Sequence, residues 1–333
     1  MMYDNIYYKP LLNEIEEEID LSSLSKFDRQ ITNRKLNLRF RIRLESLILI
    51  IRFNPNNLKC SEFFNNNKTA MKQYSDCGRL TIFEDHQLDM DCDSVRRRVM
   101  GNNVYSKLNR PIVIIRNIYT SYPMQEAFMS LSYHPENSYC FVMDSKSNAT
   151  FTYKMKKLAR CFDNIYISDK TYDFDSSGHY QDYAHFDCLR ISLEKDKNWN
   201  HALLLQNYDL IIKTPSELSS ISEIFNGTHI FGLRGPPRLA RYDRYADWSA
   251  KGLKIWKNES GKSTLQLESS LLLGDGYNEV FVSRNLIQAI FDELNVDNLL
   301  KRFNDLNRVD YFLRIFHNLS KLVHERDEIF PSF

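Results

Sequence analysis

The sequence predicts an α/β fold with an open, mostly parallel twisted sheet flanked by helices. Two short apolar runs, residues 139–143 and 202–207, are bounded by polar residues, as strands buried on both faces are. From Pro111 onward such runs alternate with helical segments of about 10 to 15 residues. This alternation is typical of parallel βαβ units, so we expect one sheet with helices on its faces.

The predicted elements follow in order from this alternation. Residues 112–115 form the first strand, and residues 124–132 form a helix with apolar side chains at helical spacing. The later elements are a strand at 139–143, a helix at 150–161, a strand at 164–167, a helix at about 180–194, a strand at 202–207, and a strand at 280–282 that leads into a helix from Ser283.

Two helix starts carry capping signals. In Thr214-Pro215-Ser216-Glu217, Thr214 can cap, proline suits the first turn, and Glu217 can reach back to close a capping box. Upstream, the carboxylates of residues 89–93 precede the arginines of residues 96–98. They either hold a divalent cation or cap a helix that the arginines continue, and the second interpretation is favoured because carboxylates stabilise a first turn.

Composition excludes several classes of protein. Apolar residues make up 43% of the 333 residues, which is enough for a large core, so wholesale disorder is excluded. Lysine and arginine (44) nearly cancel aspartate and glutamate (43), so we expect no nucleic-acid partner. The six cysteines form no CxxC pair; they are either disulfides of an oxidising compartment or buried thiols. Glycosylation sequons occur at Asn67, Asn148, Asn226, Asn258 and Asn318.

The chain divides into two predicted regions. Residues 1–105 are a stem-like, partly irregular region, and residues 106–333 are the α/β domain. Residues 36–53 are the best membrane-span candidate, but a spanning helix needs ~20 apolar residues and charges interrupt this segment. We therefore expect membrane attachment only through an N-terminal anchor that is not evident here.

Acidic and basic side chains follow the two apolar runs. Asp144 and Lys146 come directly after the first run, and Asp209 and Lys213 come after the second. Ligands of open α/β sheets bind at the carboxyl ends of the strands, so these residues predict a site for a nucleotide. Lys146 places an ammonium where metal-dependent transferases have the second carboxylate of Asp-x-Asp, so we expect no metal there.

Residues 231–257 are loop-rich, basic and aromatic, and they include Arg244, Tyr245 and Trp248. Sugars stack on such rings, so this segment is either a loop that binds a sugar, as the acceptor of a transfer reaction, or a loop that packs its own aromatic side chains. Both interpretations stay open from the sequence.

An ordered set of short motifs spans about three fifths of the chain. The motifs are Met90-Asp91-Cys92-Asp93, Tyr139-Cys140, Asp144-Ser145-Lys146-Ser147, Cys161-Phe162, Asp175-Ser176-Ser177-Gly178-His179, Ala184-His185 with Cys188, Trp199, Leu204-Leu205-Gln206-Asn207 with Asp209, Lys213-Thr214, and Val282-Ser283-Arg284. Together they resemble the core-2/I-branching β-1,6-N-acetylglucosaminyltransferases, and nematode-type members in particular.

The resemblance implies a GT-A-like (Rossmann-like) fold and a metal-independent, inverting transferase without a cofactor. The partners it implies are the donor UDP-N-acetylglucosamine and a glycan acceptor, and it places the protein in the Golgi membrane as a lumenal type II protein. It implies disulfides Cys92–Cys161 and Cys140–Cys188. It also implies that Asp144 contacts the uracil side of the donor.

The sequence departs from the family in two ways. An ungapped count places Ser270 at the position of the general base, whereas a two-residue shift places Glu268 there, so Glu268 is the candidate catalytic residue. The family's Asp-Glu pair corresponds to residues 309–312, which lack the glutamate, and the C-terminal section with the family's diphosphate-binding cations is shortened. The alternatives are a catalytically impaired relative that binds nucleotide or glycan, an incomplete sequence, or a xylose donor.

Overall fold

The computed structural model describes residues 65–76, 87–230, 233–235, 245–271, 275–276 and 279–305, with side chains for 65–72, 87–230, 245–271 and 279–305. The chain divides into two compact units, Met1–His86 and Gln87–Phe333. The first unit contains helix α1, Lys68–Asp76. Residues 87–105 belong to the second unit. The stem-like region predicted upstream lies mostly outside the described residues, so the predicted domain division stays a prediction.

The second unit follows the predicted alternation. Its elements are α2 Cys92–Met100, β1 Ile112–Ile118, α3 Tyr122–Ser132, β2 Ser138–Asp144, α4 Ala149–Arg160, β3 Ile165–Tyr172, α5 Gln181–Lys195, β4 His201–Leu205, α6 Pro215–Phe225, β5 Leu233–Gly235, α7 Thr264–Glu268, β6 Asp275–Gly276, β7 Val280–Ser283, α8 Arg284–Glu293 and α9 Asp297–Asn304.

The main sheet has the strand order β3-β2-β1-β4-β7. The first four strands are parallel, and β7 pairs antiparallel with β4. Every residue of β1 and β2 is buried, which explains the apolar runs at 112–115 and 139–143, and β1 also buries Arg116 and Asn117. The open, mostly parallel α/β sheet predicted from the sequence is therefore confirmed, and it is consistent with a GT-A-like fold.

Two apolar clusters cover the two faces of the sheet. Side chains alternate along β1, so Val113 and Ile115 lie in one cluster while Ile112 and Ile114 lie in the other. The first cluster includes residues of α5, α8 and α9, and the second includes residues of α2, α3, α4 and α6. Helices on both faces leave the strand ends as the place where polar loops meet.

Both predicted helix starts are confirmed. The hydroxyl of Thr214 accepts a hydrogen bond from the backbone N–H of Glu217, and the Glu217 carboxylate accepts one from Thr214 in return. At α2 the carboxylate of Asp91 accepts hydrogen bonds from Asp93 N at 2.8 Å and Ser94 N at 3.0 Å. The carboxylates before the arginines thus include a helix cap.

The two disulfides implied by the family resemblance are present. Cys92–Cys161 ties α2 to the end of α4, and Cys140–Cys188 ties β2 to α5. Cys140 and Cys188 are completely buried, so the second bond lies inside the core. Cys60 and Cys77 lie outside the described residues.

No helix in the described part of the chain combines the length and apolarity that crossing a membrane requires. The membrane-span candidate at residues 36–53 lies outside that part.

Candidate functional site

The strand order of the sheet switches sides at β1. From β1 the chain runs to β2 and β3 on one side, and then β4 pairs with the opposite side of β1. The carboxyl ends of β1 and β4 therefore flank a topological switch point, which is where open α/β sheets bind ligands. We use the term carboxyl edge for the loops that follow β1 to β4, residues 119–121, 145–148, 173–180 and 206–214, together with Asp144 at the end of β2.

The carboxyl edge includes Asp144, the last residue of β2, which is buried. Its Oδ1 accepts the backbone N–H of Lys146 at 2.7 Å and lies 3.1 Å from the Lys146 Nζ. The same ammonium contacts the Asp173 carboxylate and donates to the carbonyl oxygen of Phe174 at 2.7 Å. The hydrogen bond to Asp173 raises the pKa of Lys146; burial opposes this effect, and the hydrogen bond to Asp144 adds to it. Lys146 therefore uses its three N–H groups to hold the loops after β2 and β3 together.

Asp209 lies at the same edge, in the loop after β4. Its Oδ2 accepts the backbone N–H of Gln206 at 2.6 Å and closes that turn. Its carbonyl oxygen accepts a hydrogen bond from Arg116 Nη1 at 2.7 Å, as does that of Gln206. Burial lowers the pKa of Arg116 to about 10, against the opposing effect of Asp209, so Arg116 is charged at neutral pH. The observed contacts of Asp209 thus shape the loop, while Lys213 beside it is exposed.

The predicted acceptor residues have different environments. Tyr245 is 81% exposed, so its ring is accessible to a ligand. Trp248 is buried, with its ring centroid 5.4 Å from that of Phe303 and the Arg302 guanidinium above it. Trp248 therefore packs in the core, which does not fit an exposed stacking role. Arg244 lies outside the described residues.

Glu268 is the last residue of α7, and it is exposed. The residues on either side of it join the segment that begins at Tyr245: Leu267 O accepts a hydrogen bond from Lys251 N at 2.8 Å, and Ser269 O accepts one from Ala250 N at 3.0 Å. The structure thus brings the predicted general base next to the predicted acceptor-binding segment.

The carboxyl edge also contains a histidine–carboxylate pair that sequence reasoning missed. His179 Nδ1 lies 2.7 Å from Asp175 Oδ2, and Asp175 Oδ1 accepts the backbone N–H of Ser177. Burial by itself would raise the pKa of Asp175, but hydrogen bonds from His179 and Ser177 outweigh this effect and lower the pKa. The spacing of four residues between Asp175 and His179 was the available signal.

His185 is a structural histidine. It is fully buried in α5, and its Nε2 lies 3.2 Å from the carbonyl oxygen of Leu205. Burial lowers the pKa of His185 to about 4, whereas an unfolded histidine titrates near about 6.5. Between about pH 4 and about pH 6.5 the unfolded state therefore protonates His185 while the folded state keeps it neutral. The contribution of neutral His185 to the free energy of unfolding is complete above about pH 6.5 and is lost as the pH falls towards about 4.

We expect His185→Gln to reduce the acid sensitivity of folding. The free energy of unfolding of the native protein should fall by about 2 to 3 kcal/mol more between pH 7 and pH 4.5 than that of the variant. Urea denaturation at both pH values measures the difference. Burial raises the pKa of Asp182, and this makes the free energy of unfolding rise as the pH falls, opposite to the effect of His185. Asp182 is present in both proteins, so its effect cancels in the comparison. Equal pH slopes would contradict the prediction.

No group of three or more His, Cys, Asp or Glu side chains is arranged to hold a metal ion within the described ranges. At the carboxyl edge, Asp144 and Asp173 face the Lys146 ammonium instead.

A surface cavity of about 490 Å³ lies away from this edge, between the end of α4, the start of β3 and the second half of α5. Its lining includes Ile165 and Ile167 at the amino end of β3, opposite the carboxyl edge. The cavity therefore plays no part in the site described above.

The open, mostly parallel sheet with a polar carboxyl edge is consistent with a GT-A-like glycosyltransferase fold. The chain belongs to the Core-2/I-Branching enzyme family, a glycosyltransferase family whose model matches residues 114–323. The family resemblance read from the sequence motifs is thereby confirmed.

The chain is similar to several curated members of this family. A β-1,3-galactosyl-O-glycosyl-glycoprotein β-1,6-N-acetylglucosaminyltransferase 3 from Rattus norvegicus is 21% identical over 225 residues, covering 68% of this chain and 51% of the relative. The human enzyme of the same name is 26% identical over 190 residues, covering 56% of this chain and 42% of the relative. A β-1,3-galactosyl-O-glycosyl-glycoprotein β-1,6-N-acetylglucosaminyltransferase 4 from Danio rerio is 26% identical over 169 residues, covering 50% of this chain and 38% of the relative. The chain thus spans about half the length, or less, of these relatives.

Proposed function

We propose that this chain transfers N-acetylglucosamine from UDP-N-acetylglucosamine to a glycan acceptor by metal-independent, inverting displacement. The observation that carries the proposal is the pairing of Asp144 with Lys146 at the carboxyl edge, inside the segment that matches the family model. The printed names of the relatives, which are N-acetylglucosaminyltransferases acting on galactosyl-O-glycosyl-glycoproteins, support the donor sugar and the class of acceptor.

In this proposal, different residues of the carboxyl edge bind different parts of the donor. Asp144 Oδ1 is engaged by Lys146, whereas Oδ2 has no hydrogen-bond partner among the described residues and is free to accept an N–H of the uracil. The Lys146 ammonium bridges the carboxylates of Asp144 and Asp173, and in this proposal it orients Asp144 in the place of a divalent cation. Exposed Lys213 is the candidate contact for the diphosphate.

The reaction needs one proton acceptor. In the proposed step the acceptor hydroxyl oxygen forms a bond to the anomeric carbon while the bond to the UDP oxygen breaks, which inverts that centre. Glu268 is the proposed base for the hydroxyl proton. UDP leaves with the electron pair of the broken bond.

The proposed setting is the Golgi lumen, with the chain as a type II protein. Two disulfides in the second unit suit an oxidising compartment. Protease protection of the tagged protein in sealed Golgi vesicles tests this placement: digestion without detergent contradicts it.

A second candidate is a family member that binds nucleotide or glycan without turnover. The engagement of all three Lys146 N–H groups favours it, because this cation has no spare donor for the leaving group. UDP release from UDP-N-acetylglucosamine, measured with a panel of galactose-containing acceptors in EDTA, separates the candidates. Turnover in EDTA supports the transferase, and UDP binding without turnover on any acceptor supports the binding protein.

We expect Asp144→Ala to weaken UDP binding roughly tenfold to hundredfold, because a hydrogen bond to a charged group contributes about 1.5 to 3 kcal/mol. Isothermal titration calorimetry with UDP measures the change. Asp187→Ala is the matched control, since Asp187 also pairs with a lysine, Lys170, at 2.8 Å but lies on α5 outside the carboxyl edge. Unchanged UDP affinity in a folded Asp144→Ala protein removes Asp144 from the site.

A further inference from the structure

We propose that Tyr119 and Tyr208 form an aromatic platform that binds the flat face of the donor's pyrimidine base. This inference rests on the proposed function and adds a subsite to it. The two rings belong to different loops of the carboxyl edge, after β1 and after β4. Their centroids are 5.7 Å apart and their planes are nearly perpendicular, at 86°, so a base that stacks on one ring meets the other ring edge to face. Tyr119 is 42% exposed and Tyr208 is 53% exposed, so ring surface is accessible at the switch point.

The register of the sheet places this platform beside Asp144. Ile118 of β1 pairs with Met143 of β2, so the next residues, Tyr119 and Asp144, lie level on strands about 4.8 Å apart. The hydroxyl of Ser147 also donates to the carbonyl oxygen of Tyr119 at 3.0 Å and ties the two loops together. A planar ring with an N–H at its edge can therefore meet the aromatic face and the carboxylate at once. Uracil has this combination, whereas a sugar ring is not planar.

The platform is held in place before a ligand arrives. The side-chain oxygen of buried Asn207 accepts hydrogen bonds from Tyr119 N at 2.8 Å and Thr120 N at 3.3 Å, which locks the loop after β1 to the residue before Tyr208. From the other side, Arg116 bonds to the carbonyl oxygens of the β4 loop. A platform fixed in this way loses little conformational entropy on binding.

Buried polar atoms without partners occur at residues close in sequence to the platform. Asn117 Oδ1, Ser121 Oγ and Asn207 Nδ2 are buried without a hydrogen-bond partner in the described part of the chain. Ser121 also has a left-handed backbone, with φ of 64°, which strains a non-glycine residue. Buried polar atoms without partners are costly and uncommon in native proteins. Their position within two residues of Tyr119 or Tyr208 fits a site that is completed by a polar ligand or by water.

Titration with UDP and with inorganic pyrophosphate tests the platform. Stacking of a base on an aromatic side chain contributes about 1 to 3 kcal/mol, and an edge-to-face contact contributes about 0.5 to 1.5 kcal/mol. Tyr119→Ala and Tyr208→Ala should therefore each weaken UDP binding, roughly tenfold to hundredfold for the ring that stacks and about threefold to tenfold for the other. Tyr119→Phe and Tyr208→Phe keep the ring and should stay within about threefold of the native protein. Pyrophosphate has no base, so its affinity should not change in any variant.

The matched control is Tyr153→Ala, which removes a tyrosine of similar exposure, 55%, from helix α4. It should bind UDP like the native protein. If the native protein binds UDP and the alanine variants, shown to be folded by their melting temperatures, bind it equally well, the platform is excluded while the proposed function stands. Equal losses for UDP and pyrophosphate also exclude it, because the rings would then act through the phosphates. If the native protein itself binds no UDP, the proposed function fails first.

Discussion

Replacing both Cys140 and Cys188 by alanine is expected to lower the free energy of unfolding by about 4 kcal/mol. The disulfide closes a loop across a sequence separation of 48 residues, and the chain-entropy model assigns a stabilisation of this size to such a loop. It joins the centre of β2 to the middle of α5, and both sulfurs are completely buried. Urea denaturation of the two proteins under non-reducing conditions measures the difference.

The second disulfide provides the control for this prediction. Cys92–Cys161 spans 69 residues, so the same model assigns it nearly the same stabilisation, but it joins α2 to the end of α4 and neither cysteine belongs to a strand. We therefore expect similar losses of stability from both double variants, and weaker UDP binding only from the Cys140 and Cys188 variant, because Cys140 lies four residues before Asp144 on β2. A loss under about 1 kcal/mol would show that the Cys140–Cys188 bond does not constrain the unfolded chain.

The sequence predicts best those strands that are buried on both faces. β1, β2 and β4 lie in the middle of the sheet, and the apolar runs 112–115, 139–143 and 202–205 mark them in the sequence. In β1 the run ends at Ile115, because buried Arg116 and Asn117 precede the last residue, Ile118. β3 is an edge strand, and its second half, residues 169–171, is exposed. The hydrophobic pattern therefore ends at Ile167, and the predicted strand stops five residues short of Tyr172. The same reason explains why α7, which has no buried residue, was not predicted as a helix.

The carboxyl edge was predictable because parallel strands deliver their loops to one side. This argument places Asp144 and Asp209 at the same edge without knowledge of side-chain contacts. It cannot show what each side chain does there. Arg116 reaches the loop around Asp209 from 93 residues away in the sequence, and the burial of Trp248 depends on α9. Such contacts follow from the way loops pack on each other, and no local pattern encodes them.

Glu268→Gln is expected to lower the turnover number of the transferase roughly 100- to 10,000-fold, because general base catalysis contributes about this factor. A base that deprotonates the acceptor must lie on the acceptor side of the site. Glu268 is the proposed base because its neighbours Leu267 and Ser269 bond to residues 250 and 251, which lie in the segment predicted from the sequence to bind the acceptor. Glutamine has the same size but cannot take up the proton, so UDP affinity should stay unchanged while kcat falls.

Glu259→Gln is the matched control, because Glu259 is an exposed glutamate nine residues upstream in the same part of the chain. It should leave kcat within about twofold of the native value. The pH profile adds a readout that a structural role does not change: the acidic limb of kcat reports the ionisation of the base, and it should disappear in Glu268→Gln. If the two glutamine variants are equally active, the base lies elsewhere, and the His179–Asp175 pair at the carboxyl edge becomes the next group to test, since a carboxylate already orients its imidazole.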